Sequence, residues 1–127
     1  MTRFLFVCLG GAIGTGARYL VMLWAAAAFG PAFPAGTLIV NVAGSFLLGF
    51  LAQLSLTTEL FSLDMRLLLT TGIMGGFTTY STFNYETTGL LRSGSWLFGT
   101  INLFATVAGC LAAGLLGMIL ARLLAGR

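Results

Sequence analysis

Long apolar segments, each punctuated by small or weakly polar residues, fill most of the chain. They run from about Phe4 to Phe29, Thr37 to Leu54, Met65 to Leu91 and Trp96 to Leu124. An α-helix needs about 20 predominantly apolar residues to cross the roughly 30 Å of bilayer hydrocarbon. The segments are separated by Gly30–Gly36, a Gly/Pro turn, by the polar stretch Gln53–Arg66, and by Arg92–Ser95. The stretch with Glu59, Asp64 and Arg66 reads as an ordinary solvated loop. The pattern predicts an all-α membrane protein with four transmembrane helices, forming one domain over residues 1–127.

The third segment departs from an uninterrupted span. Gly72, Gly75 and Gly76, followed by Thr78 and Thr79, weaken a helix at its middle, and Tyr80, Ser81, Thr82, Phe83 and Asn84 follow at once. A break is expected near residues 72–79. Non-helical backbone at membrane depth is tolerated only where it is buried in protein or lines a polar cavity. It also exposes half-helix ends and free carbonyls, which suit ions. Beyond the break, Ser81, Asn84 and Thr88 fall at i, i+3 and i+7 and form a polar stripe. Tyr80 and Phe83 lie on a neighbouring strip; such a pair reads as core packing or as ring edges offered to an anion.

Within the other segments, polar residues are few. Arg18 sits inside the first span, where an arginine costs about 2.5–3.5 kcal/mol on insertion scales. It either snorkels, faces a water-filled vestibule, or pairs with a carbonyl or with Glu86. Glu86 is the one carboxylate within a span, hence a functional candidate or the partner of Arg18. Asn41 and Ser45 share a face of the second span, and Asn41 reads equally as interhelical glue or as a donor to an anion. Gly10–Gly14 forms a GxxxG motif in the first span. Ala105, Gly109, Ala113, Gly117 and Ala121 form a small-residue ridge in the fourth; both are packing surfaces. Asn102, Thr106 and Cys110 repeat beside that ridge and suit a helix flanking a pore. Trp24 and Trp96 fit interfacial anchoring.

Composition narrows the function. With 58% hydrophobic and 7% charged residues, nine ionised side chains cannot build a water-facing surface. The net charge of +3 is too sparse for a nucleic-acid footprint. The absence of histidine removes the usual base of a nucleophilic pair and makes an intramembrane enzyme the weakest class. Cys8 and Cys110 read as small apolar residues. Arg3 ahead of an apolar run imitates a signal peptide, but the run continues past Arg18 and is read as a retained span. The loop arginines lean towards termini on the cytoplasmic side. Without an internal repeat, four short helices enclose little, so a homodimer is the economical assembly.

The run Gly75-Gly76-Phe77-Thr78-Thr79-Tyr80-Ser81-Thr82-Phe83 resembles the Fluc (CrcB) fluoride channel family. Gly10, Gly11, Gly14 and Arg18 in the first span extend the likeness, as does Pro34–Asn41, and it covers essentially the whole chain. The resemblance implies an antiparallel, dual-topology homodimer in the bacterial inner membrane, with two fluoride pores along the subunit interface. Tyr80 and Phe83 would take the positions of paired rings whose edges face fluoride, and Asn41 that of the donating amide. Ser81, Thr82 and Asn84 would lie along the polar track, with Glu86 on the same route and Arg18 in the vestibule. Gly75 and Thr78 match positions whose backbone carbonyls hold a structural sodium. The family usually carries Phe where Tyr80 stands, and Cys110 replaces an expected small polar residue. Fluoride is tightly hydrated, and amide, hydroxyl and ring-edge donors are the weak set that replaces water without trapping the ion. Two other classes compete. A small multidrug-exporter-like transporter needs a carboxylate where span 1 carries Arg18, and a non-conducting assembly subunit leaves Asn41, Tyr80 and Phe83 without a purpose.

Overall fold

The computed structural model describes residues 1–126, and every regular element in it is helical. Three helices are long and apolar enough to cross a membrane: α1 (Thr2–Phe29), α2 (Ala35–Thr57) and α6 (Trp96–Leu124). Between α2 and α6 lies one long bent helix in pieces. It comprises α3 (Leu63–Arg66), a π-helical stretch (Leu67–Met74), α4 (Gly75–Phe77) and α5 (Tyr80–Arg92). Large apolar side chains such as Leu9, Ile13, Leu20, Phe104 and Leu111 are exposed along α1 and α6. Such continuous apolar surface belongs against lipid, so the chain is a membrane protein.

Small residues decide which helices touch. On α6 the ridge buries Ala113, Gly117 and Ala121 against α2, the most extensive helix pair in the fold. A Cβ on Gly49 of α2 would collide with the backbone of Gly114. The GxxxG of α1 serves the bent helix in the same way. A Cβ on Gly10 would stand 2.9 Å from Gly72 Cα, and one on Gly76 would stand 2.5 Å from the Gly11 carbonyl oxygen. In lipid, close backbone approach of this kind supplies the association energy that hydrophobicity cannot.

The break falls later than glycine content alone suggests. Gly72, Gly75 and Gly76 all remain helical, Gly75 with φ −62° and ψ −38°. Only Thr78 (φ −84°, ψ 158°) and Thr79 (φ −153°, ψ 108°) are extended. The glycines that face α1 are there for contact, and the chain breaks where the threonine backbone finds partners outside its own helix. A π-helix precedes the break. Such wide turns are rare and concentrate at functional sites.

The two ends of the bundle differ. At one, Arg3 Nε pairs with Asp64 at 3.2 Å, both exposed; a pair of this kind adds little stability. At the other, the turn after α1 meets the start of α6, with Phe33 and Phe98 edge to face at 6.2 Å. The same end holds a cavity between the α1–α2 turn and α5.

Candidate functional site

The break is held by a side chain from α2. Asn41, 7% exposed, accepts from the Thr79 N–H at Oδ1 (2.7 Å) and donates from Nδ2 to the Thr79 carbonyl (3.0 Å). A backbone N–H can only donate, so this pair fixes which way the amide points and leaves one Nδ2 proton unused. Asn41 is therefore glue, and glue with a spare donor. Because the Thr79 N–H goes to Asn41, the Gly75 carbonyl four residues earlier loses its helical donor.

Thr79, legible in the sequence as part of the break but not as a cap, then starts α5. Its hydroxyl accepts from Thr82 N–H at 3.3 Å, the usual N-cap arrangement. It also donates to Thr82 Oγ1 at 2.9 Å and lies 3.4 Å from Ser81 Oγ. A Thr three residues before another hydroxyl at a helix start was the signal available. The N-terminus of α5 thus carries a knot of hydroxyls beside the Asn41 amide, at the positive end of a 13-residue helix.

Arg18 reaches the other side of the break. Its Nη1 donates to the Thr78 carbonyl at 3.3 Å, which selects the carbonyl over Glu86 as its partner. Nearby, Thr15 Oγ1 donates to the Gly76 carbonyl at 3.5 Å. Two of the freed carbonyls are thus met by α1.

The ring pair follows directly. Tyr80 and Phe83 have centroids 5.6 Å apart and planes tilted by 57°. Phe83 is buried at 5% exposure, whereas Tyr80 is 78% exposed. The expected stripe of Ser81, Asn84 and Thr88 is solvent-open throughout. A helix with exposed amide and hydroxyls cannot present that face to lipid without cost.

Asn102 and Thr106, read as flanking a pore, turn inward instead. Asn102 is fully buried and donates to Thr87 Oγ1 at 2.8 Å; Thr87 in turn donates to the Phe83 carbonyl at 2.7 Å. Thr106 Oγ1 donates to Asn102 Oδ1 at 3.5 Å. This chain of bonds ties α6 to the turn of α5 that carries Phe83, so both are positioning residues. Asn102→Ala is expected to cost about 1–2 kcal/mol. Thermal unfolding in detergent measures it, and an unchanged midpoint contradicts the assignment.

Glu86 lies one turn beyond Phe83 and lines the end cavity together with Thr37. Thr37 Oγ1 and Glu86 Oε2 are both buried, and the two side chains are neighbours, though neither atom has a hydrogen bond within 3.5 Å. Thr37 was also missed, although it stands four residues before Asn41 and so shares its helical strip. Thr37 and Glu86 share the end cavity. At the break Asn41 holds the Thr79 backbone and the Thr79 hydroxyl meets that of Thr82, and Phe83 lies on α5 between the two places. Tyr80, Ser81 and Asn84 lie on the adjacent open face. Gly75 and Arg18 stand across the break.

Comparison with known proteins agrees in extent. The chain is 56% identical over 126 residues to the fluoride-specific ion channel FluC of Anaeromyxobacter dehalogenans, covering 99% of this chain and 100% of the relative. It is 54% identical over 127 residues to FluC of Sorangium cellulosum (99% and 100%). Against FluC of Clostridium perfringens strain 13 it is 46% identical over 120 residues (94% of each). Residues 5–118 match the model of the family described as CrcB-like protein, camphor resistance. With nearly the whole length matched, the chain belongs to the CrcB-like family.

Proposed function

We propose that this protein is a fluoride-selective passive ion channel of the bacterial inner membrane, working as an antiparallel dual-topology homodimer with two pores. The observation that carries the reading is the clamped break. Asn41 holds the Thr79 peptide so that a free amide proton, the Thr79–Ser81–Thr82 hydroxyls and the Tyr80–Phe83 rings gather around the N-terminus of α5. The set is neutral and donor-rich. It can stand in for the hydration shell of a small anion while holding the ion weakly enough to release it. Ring edges add positive potential without a formal charge, and Arg18 adds a full positive charge beside the break.

The bent helix completes a fourth crossing, since neither piece alone spans the hydrocarbon. A second copy accounts for the open polar face of α5, which needs cover from lipid. The same reading places a structural sodium at the dimer centre, held by the carbonyls of Gly75 and Thr78. The residues fit in two respects. The Gly75 carbonyl has lost its helical donor, and Gly75 faces open space, with nothing within 4 Å of where a Cβ would stand. Thr78 shares its carbonyl with Arg18, so the guanidinium and a cation divide its two lone pairs. A bound sodium supplies positive charge that fixes the two breaks together.

Gly75→Val should therefore leave the helices of the protomer intact by circular dichroism yet lower the dimer fraction in detergent, measured by light scattering. An unchanged dimer fraction would contradict the central placement of Gly75. The function itself is tested by efflux from liposomes holding the purified protein, read with a fluoride electrode and repeated with chloride. Rapid fluoride loss without a proton gradient, and no chloride loss, is the expected result. Equal release of both ions, or neither, overturns it.

A further inference from the structure

The bent helix meets α2 at two successive residues of the break, and only one of the two contacts is polar. Asn41 holds Thr79 through its amide. Three residues further along α2, and so on the same strip, Gly44 is buried against Thr78. A Cβ on Gly44 would run into the Thr78 Cγ2 methyl and stand 3.3 Å from the Phe77 ring. The methyl of Thr78 thus occupies the space that a side chain at position 44 would fill.

That methyl is not free to swing away. The Thr78 hydroxyl donates to the Met74 carbonyl at 3.0 Å, the same carbonyl that accepts the Thr78 N–H at 3.0 Å. Rotation about χ1 would lift the methyl off Gly44 only by breaking the hydroxyl bond. The peptide joining Thr78 to Thr79 is also held at both ends, its carbonyl by Arg18 at 3.3 Å and its N–H by Asn41 at 2.7 Å. Two carbon atoms settle about 3.5–4.0 Å apart, so a Cβ at position 44 drives Thr78 back by about 1 Å. The bond from Thr79 N–H to Asn41 does not survive a displacement of that size.

We infer that Gly44 is a positioning residue for ion conduction. The empty position seats the Thr78 methyl, and the depth of that seat sets where the Thr78–Thr79 peptide meets Asn41. The spare Asn41 proton and the hydroxyls that follow the break take their places from it. This rests on the proposed function, in which the clamped break is the ion site.

The test is a double-mutant cycle on the full chain. Gly44→Ala, Thr78→Ser and the two together are each measured for thermal midpoint in detergent and for fluoride efflux from liposomes per folded protein. Serine keeps the hydroxyl and the backbone carbonyl and removes only the methyl. Replacing a helical glycine by alanine otherwise favours the helix, so a loss reports the contact. Gly44→Ala is expected to lower efflux at least about tenfold alone but less than about twofold in the Thr78→Ser background, a coupling ordinary between touching residues. Equal losses in the two backgrounds overturn the inference, as does a Gly44→Ala protein that conducts normally. A lower midpoint with unchanged efflux per folded protein reduces Gly44 to packing and overturns it too. Where Thr78→Ser is itself silent, the midpoint cycle decides: additive shifts overturn the seat, and a rescued midpoint upholds it. A native protein that passes no fluoride removes the proposed function instead, while the midpoint cycle still tests the seat.

Discussion

Phe83→Ile is expected to abolish fluoride flux while leaving the protein folded. Phe83 is buried, and its carbonyl is held by Thr87, which Asn102 anchors in turn. Isoleucine keeps much of the apolar volume, so the packing cost stays below the roughly 3–5 kcal/mol of a Phe→Ala change. The backbone bond is untouched. What disappears is the ring edge, whose positive potential is what the proposed pore asks of this side chain. Efflux from liposomes and thermal unfolding of the same preparation measure the two effects separately. Undiminished flux in a folded variant would remove the rings from the pore and leave the amide and hydroxyls to carry it alone.

Gly14→Ala is expected to have the largest effect on folding. A Cβ at Gly14 would run into the Ile73 carbonyl oxygen and lie 2.9 Å from Phe77 N. Both are backbone atoms of the bent helix and cannot turn aside as a side chain can. Overpacking of this kind costs typically 1–3 kcal/mol and occasionally more, and about 3 kcal/mol is expected here. The consequence reaches the site, because α1 also carries Thr15 and Arg18 to the break. Gly16→Ala is the control. No atom lies within 4 Å of a Cβ at Gly16, and removing a helical glycine gains roughly 0.5–1 kcal/mol. Thermal midpoints in detergent should separate the two variants clearly. Equal midpoints would mean that α1 and the bent helix are not in backbone contact.

These glycines also mark how far the sequence could be read. The apolar segments predict α1, α2 and α6 because a bilayer leaves a helix few alternatives. The break was legible as a region but not as a residue. Glycines and threonines together predict a break over 72–79; within that range Gly72 and Gly76 stay helical against α1, and the chain opens at Thr78 and Thr79. What decides this is the Asn41 amide, 38 residues away in sequence, which outcompetes the helix for the Thr79 peptide. Local propensity does not contain that information. The same limit hid the inward role of Asn102. Its four-residue repeat with Thr106 placed both on one strip, but nothing in the repeat says that Thr87 of α5 lies opposite. Thr37 differs, since its spacing from Asn41 was visible and only its unpartnered hydroxyl required the structure.

The alternatives weighed from sequence are separated by the same geometry. A drug exporter driven by protons needs a carboxylate at the centre of its translocation path. Here the break is surrounded by neutral donors and Arg18, and Glu86 sits in the end cavity. That arrangement favours an anion moving down its own gradient.

The most direct test is the reversal potential of current through planar bilayers holding the purified protein. Fluoride on one side faces chloride or a tenfold lower fluoride concentration on the other, at equal pH. The account predicts a current that reverses near the fluoride equilibrium potential, about 59 mV for a tenfold gradient of a monovalent ion. It should be indifferent to chloride and unchanged by a proton gradient. A reversal potential that follows pH, or that treats chloride as fluoride, would contradict a selective passive channel.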